Sequence, residues 1–312
     1  MPESGVLVLG AGGFIGRALT SRIAARGARI IAAVRAPADL GPGIETRVAG
    51  TLTAATPWSD MLAGAHTVVH LASRAHAPAG SDLSWIDDQA ATAVALGRAA
   101  RAAGIERVVL LSSIKVNGDD SGSNPFSAAD PPAPADAYGR AKMRMEEELR
   151  QSGVPLVVLR PPLVFGPSVK GNFRALLGLV ARGVPLPLAS VANRRSLIFL
   201  DNLVDLIEVA LAHDRALGGT FLMHETRDVS TPELLRLIAR GLGRTARLVA
   251  CPPSLLSAMA GLIGRGGDAS RLLGSLCVDD GETRARLGWQ PRVPLEEAVA
   301  VTCRWYREET GR

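Results

Sequence analysis

Gly5–Leu9 is a five-residue apolar run. It passes directly into Gly10-Ala11-Gly12-Gly13-Phe14-Ile15-Gly16, and Ala18, Leu19, Ile23 and Ala24 then recur at helical spacing. A strand that turns through glycines into a helix leaves few architectures open, because a neighbouring parallel strand is reached only by a crossover. It is also the context in which the spacing Gly-x-x-Gly-x-x-Gly cradles a dinucleotide. Gly10 permits the tight turn, Gly13 lets the backbone approach a pyrophosphate at the positive end of the helix, and Gly16 lets helix lie close on strand. Phe14 and Ile15, inside the turn, are expected as cofactor contacts with them.

The alternation continues along the chain. Strands are expected at Arg29–Val34, Thr46–Ala49, Thr67–Leu71, Arg107–Leu111 and Leu156–Arg160. A long helix is expected over Ser84–Ala103, capped near Asp82 or Ser84 and stopped by Gly104, and another helix carries Tyr138. Repeated strand–helix crossovers point to an α/β fold, a doubly wound parallel sheet of Rossmann-like type. After Pro161-Pro162 the pattern loosens. Helical segments near Phe173–Ala181, Asn202–Ala212, Thr231–Leu242, Ser254–Ile263 and Glu296–Arg307 alternate with short Pro/Gly-rich links. The expected division is a dinucleotide-binding domain over 1–165, with a return contribution from about 196–225. A smaller, mainly helical substrate-binding domain covers 166–195 and 226–312.

Composition narrows the function. The chain is 47% hydrophobic and 21% charged, ordinary globular values that allow one large or two modest domains. The net charge of +5 comes from scattered residues with few aromatics among them, so no nucleic-acid partner is expected. A modest positive charge suits an anionic small substrate. Met1-Pro2-Glu3-Ser4 has no basic leader, and Leu255–Ile263 falls short of the roughly 20 residues that span a bilayer. A cytoplasmic protein with no membrane partner is therefore expected, with Cys251, Cys277 and Cys303 as buried free thiols. His66, His70, His76, His213 and His224 show no metal spacing, and His70, at a strand end, reads as core or second layer around a site.

The chemistry is carried by Tyr138-Gly139-Arg140-Ala141-Lys142. A Tyr and a Lys at i, i+4 stand on one helix face, and an ammonium beside a phenol favours proton exchange near neutral pH. Only three lysines, Lys115, Lys142 and Lys170, occur against thirty-two arginines, which suggests that each is kept for its titratable amine. The strand Arg107–Leu111 ends in Ser112-Ser113, at the strand ends where ligands sit in such sheets. The strand before Arg35 ends without an acidic residue. An Arg there can pair with a 2′-phosphate, which favours NADP(H) over NAD(H); stacking on the adenine without a phosphate is the alternative. Asp119–Ala135 is a Pro/Ser/Asp-rich loop placed to lie over a substrate.

These features together resemble the extended short-chain dehydrogenase/reductase family, in its nucleotide-sugar epimerase, dehydratase and reductase branch. The resemblance rests on Gly10-x-x-Gly13-x-x-Gly16, His70-Leu71-Ala72, Ser112-Ser113-x-x-Val116-x-Gly118, Tyr138-x-x-x-Lys142 and Arg160-Pro161-Pro162-Leu163-Val164-Phe165-Gly166-Pro167, in order and at family spacing. It implies Tyr138 as general acid/base at a sugar oxygen, with Lys142 lowering its pKa and bonding the nicotinamide ribose. Ser113 would hold the sugar oxygen, and Leu71, Ala72, Ser112 and Pro161 would join the cofactor contacts. Ser113–Gly118 and Val169–Phe173 are similar to bacterial proteins that reduce or epimerise C4 of a UDP-sugar.

The implied substrate contacts are Ser113, Lys115, Asn172, Arg195 and Arg271. Arg195 is the first candidate for the pyrophosphate and Arg271 the second. Asn172 would bond phosphate or uracil, or serve as an ordinary helix cap. The leading expectation is a 4-ketoreductase acting on a UDP-4-keto-6-deoxy-N-acetylhexosamine. The alternative is a 4-epimerase with retained NAD; a 4,6-dehydratase and a non-catalytic NADP-sensing protein are less favoured. Gln89, Thr51 and Asn117 depart from the residues the family usually shows, so adenine and substrate contacts stay open there. The long helix from Ser84 and the helix with Tyr138 show Ala-rich faces wider than one sheet face covers. In the resembling proteins these helices pair with their symmetry mates, which implies a twofold homodimer.

Overall fold

The computed structural model describes residues 5–72, 83–256 and 273–311. Its centre is a seven-stranded parallel sheet. In chain order the strands are β1 (Gly5–Leu9), β2 (Ile30–Val34), β3 (Ile44–Val48), β4 (Ala65–His70), β5 (Arg107–Leu111), β6 (Leu156–Arg160) and, after a two-stranded excursion, β9 (Thr220–Leu222). Their spatial order is β3-β2-β1-β4-β5-β6-β9, every neighbouring pair parallel, so the winding reverses between β1 and β4. β1, β2, β5 and β6 are buried at every residue, which is why, apart from Arg107 and Arg160 at the strand ends, they read as apolar runs rather than alternating ones.

Helices cover both faces. α1 (Phe14–Ala25) and α6 (Leu200–Ala212) pack one side through Leu19, Ile23, Leu203 and Ile207. α2 (Trp58–Leu62), α3 (Ser84–Ala102) and α4 (Ala137–Gln151) pack the other through Met61, Leu96, Met145 and Leu149. Trp85, Ile86 and Ala141 form a small cluster where α3 and α4 meet. The C-terminal part has its own core. There the short parallel pair β7 (Leu163–Phe165) and β8 (Leu197–Phe199) meets α5 (Gly171–Ala181), α7 (Thr231–Gly241) and α9 (Leu295–Thr310). Phe165 stacks on Phe173 at 5.0 Å between ring centres and meets Phe199 at 5.6 Å.

Several expectations are corrected. α3 has Leu83 as its N-cap with no side-chain cap, so Ser84 opens the helix rather than capping it; Asp82 lies outside the described residues. β3 begins two residues earlier than Thr46, because its whole length pairs in register with β2. β7, β9, α2 and α8 (Gly281–Leu287) were not legible in the sequence. Each is three to seven residues long, too short for a periodic pattern to stand out. Cys277 and Cys303 are buried free thiols, but Cys251 is half-buried. Of the expected helix Ser254–Ile263, only the first residues lie within the described part.

Candidate active site

The glycine turn is built tightly. Gly10 takes φ +87°, and a Cβ on it would lie 2.8 Å from the Ala72 nitrogen, so the turn presses against the end of β4. That contact is fixed by the Leu71 amide donating to the Leu9 carbonyl at 2.9 Å. A Cβ on Gly16 would lie 2.3 Å from the Gly10 carbonyl oxygen, so no other residue fits where α1 meets the strand. Gly13 caps α1 with extended backbone and offers no side chain to its leading amides. Those amides and the positive helix end suit a pyrophosphate. Phe14 and Ile15 stand half-buried beside them. Arg35 follows β2 on the same edge, exposed, and among the described residues its side chain carries no ion pair. The residues present therefore fit a dinucleotide: a space that side chains would fill, an open helix end and a cation beyond β2.

The candidate reacting groups Ser113, Tyr138 and Lys142 gather at the carboxyl end of β5. Ser113 follows β5 and its Oγ accepts the Lys115 amide at 3.2 Å, which starts a 3₁₀ turn over Ile114–Val116. α4 begins one residue after Asp136, whose Oδ1 accepts the Gly139 amide at 2.8 Å and so places Tyr138 in the first turn. A Cβ on Gly139 would come 2.4 Å from the Lys115 carbonyl oxygen, so the Tyr138 end of α4 and the Ser113 turn are in close contact. Lys142, one turn on, is 1% exposed and its Nζ donates to the Leu111 carbonyl at 2.7 Å. Burial pulls its amine down to about 8, while the Glu146 carboxylate pulls it up. His70 lies buried at the end of β4, and among the described residues neither ring nitrogen has a hydrogen-bond partner. Burial and then the Lys142 charge push its imidazole down to about 3, so it is neutral at physiological pH.

A buried network behind these groups escaped sequence reasoning. Glu146, 1% exposed, accepts from Arg160 Nε at 3.0 Å and Nη2 at 2.6 Å. It also accepts from the Ser112 hydroxyl at 2.5 Å and from Arg150 at 3.1 Å. Arg160 Nη1 donates to the Asn117 Oδ1 at 2.9 Å, and Asn117 Nδ2 donates to the Ser127 carbonyl at 3.0 Å. Asn117 is therefore occupied within the protein rather than turned to a substrate. The available signal was Glu146 itself, a second i+4 step beyond Lys142 on the buried face of α4.

The other candidates separate. Lys115 Nζ is held by Asp119 at 2.6 Å and lies 3.7 Å from Asp136. Arg195 sits between two chain segments: its amide donates to the Val229 carbonyl at 2.8 Å, and its Nη1 donates to the Gly274 carbonyl at 3.2 Å. Burial lowers its pKa, while Cys277, Asp120 and Asp119 act in the opposite sense. The loop after Gly118 leads there: Ser121 donates to Ser275 at 2.9 Å and Phe126 to Cys277 at 2.8 Å, both backbone to backbone. Asn172 is exposed within α5, whose N-cap is Lys170, so Asn172 is not the cap. Arg271 lies outside the described residues.

This sheet, its switch point at the glycine turn and the Ser113, Tyr138 and Lys142 set define an enzyme of the extended short-chain dehydrogenase/reductase class. The model of the NAD dependent epimerase/dehydratase family matches residues 6–222, and the chain belongs to that family. It is 34% identical to a UDP-glucose 4-epimerase of Vibrio cholerae over 323 aligned positions, covering 100% of this chain and 98% of the relative. It is 30% identical to a ceramide reductase of Caulobacter vibrioides, over 82% of this chain and 76% of the relative. A solved structure of MoeE5 with UDP-glucuronic acid and NAD superposes with a TM-score of 0.78 at 25% identity, covering 98% of this chain and all of that one. No helix among the described residues is long and apolar enough to cross a membrane.

Proposed function

We propose that this protein is a nicotinamide-dependent 4-epimerase of a UDP-hexose or UDP-N-acetylhexosamine. The observation that carries it is the position of the buried Lys142, bonded to the end of β5 one turn behind Tyr138. That arrangement serves hydride and proton exchange at a carbon bearing a hydroxyl. The full-length likeness to a UDP-glucose 4-epimerase supports C4 of a UDP-sugar as that carbon. Bound nicotinamide supplies the hydride acceptor and donor. Tyr138 takes and returns the proton of the sugar O4, Ser113 holds that oxygen, and Lys142 supports the phenolate and the ribose. The Gly10–Gly16 turn, Leu71, Ala72, Ser112 and Pro161 hold the dinucleotide. Arg195 faces the pyrophosphate of the substrate, where a planar fork suits a phosphate. The dinucleotide half is assigned to 1–165 with 196–225, the substrate half to the remainder. Two copies pair through α3 and α4, which a monomer mass in light scattering at micromolar concentration would exclude.

A second reading, a 4-ketoreductase using NADP(H), is favoured by Arg35 after β2 and by the reductase among the relatives. The two readings divide on one assay. An epimerase inverts UDP-glucose or UDP-N-acetylglucosamine at C4 with the nucleotide it carries from purification. A reductase leaves these unchanged and consumes NADPH only with a 4-keto sugar nucleotide. Arg35→Ala is expected to weaken NADPH far more than NADH, by about 1.5–3 kcal/mol, because only NADPH carries the 2′-phosphate. Equal losses in a fluorescence titration would show that Arg35 reads no phosphate.

A further inference from the structure

Two strand ends meet one buried carboxylate, and a chain of hydrogen bonds runs on from it through Arg160 and Asn117 to Ser127. Glu146 belongs to α4, Ser112 to the end of β5 and Arg160 to the end of β6. Asn117 closes the 3₁₀ turn that Ser113 opens, and Ser127 lies in the loop that runs on toward Arg195. Glu146 and Arg160 are almost wholly removed from water, so their pairing is held in one geometry rather than shared with solvent. Nothing in the reaction read above uses either side chain.

We propose that Glu146 is a positioning residue for the reaction centre: its carboxylate, clamped by Arg160 and Ser112, sets where Tyr138 and Lys142 stand against Ser113. The proposal rests on Tyr138, Lys142 and Ser113 being the reacting groups. It has a geometric arm and an electrostatic arm. Geometrically, Arg160 bonds Glu146 on one side and Asn117 on the other, so α4 and the Ser113 turn share one rigid tie. Electrostatically, Lys142 is flanked by His70 from β4, by Tyr138 and Glu146 on its own helix, and by Arg160 from β6 beyond Glu146. Of these, Glu146 is the carboxylate that bears on it, and it opposes the effect of burial.

The test exploits the three lysines of the chain, because ¹³C-lysine labelling then gives three side-chain signals, with Lys142→Met assigning its own. The Lys142 amine, now near 8, should titrate roughly one unit lower in Glu146→Gln, since an attractive charge is removed at constant shape. With less ammonium present at a given pH, the alkaline limb of the pH–rate profile moves to lower pH by the same amount. At the optimum kcat falls about 10-fold with KM within about 2-fold, as expected for a misplaced acid/base pair. Asn117→Ala cuts the geometric tie without touching charge. It should lower kcat several-fold and leave the Lys142 titration where it is. An unchanged Lys142 titration in Glu146→Gln overturns the proposal, and so does an unchanged kcat in Asn117→Ala. If Glu146→Gln fails to fold by circular dichroism, Asn117→Ala decides alone. The lysine titration needs no substrate, so it stands apart from the functional reading, which fails separately if Tyr138→Phe keeps its activity.

Discussion

Replacing Tyr138 with Phe is expected to lower kcat by roughly 10²-fold or more while cofactor affinity stays within about 2-fold. The hydroxyl is the only atom lost. α4 starts at Asp136 through a bond to the Gly139 amide that does not involve Tyr138, so the helix and Lys142 keep their places. Bound nicotinamide and substrate should still meet, but no group then stands at O4 to carry the proton. Steady-state kinetics with a nucleotide-binding titration on the same preparation separates the two effects. Near wild-type kcat would remove Tyr138 from the chemistry. Loss of kcat together with loss of cofactor affinity would make it a structural residue.

The second large effect is on stability. Arg160→Met should cost about 3 kcal/mol, because it leaves the carboxylate of Glu146 inside the protein with its main partner gone. Arg150 and Ser112 still reach that carboxylate, which keeps the loss at the lower end of the range for broken buried pairs. The double variant carries the signature. Replacing Glu146 as well, with Met, should recover most of the loss, since two apolar side chains of similar volume remove both charges. A deficit that is unrelieved in the double variant would point to lost packing instead.

The strands β1, β5 and β6 were legible to the residue, because a strand buried on both faces leaves an uninterrupted apolar run. The Tyr138–Lys142 relation was legible for a different reason: the helix fixes which residues share a face whatever surrounds it. Asn117 shows where this ends. In the sequence it stood as a departure at a substrate position, yet its two side-chain hydrogen bonds go to Arg160, 43 residues away, and to Ser127. Arg195 shows the same limit. Its cationic character was plain, but the segments that pin its backbone, at Val229 and Leu276, come from distant parts of the chain with no motif to announce them.

The sequence by itself determined the glycine turn and the helix it opens, the apolar strands, and the order of Ser113, Tyr138 and Lys142. These depend on backbone sterics, side-chain period and spacing, all of which act within a few residues. Only the tertiary structure decided that β9 closes the sheet beside β6 and that Lys142 is bonded to the end of β5 and stripped of water. It alone decided that Glu146 and Arg160 join the helix to the strand ends. Burial and charge pairing are sums over neighbours brought in from far along the chain, and those neighbours exist only once the sheet has assembled.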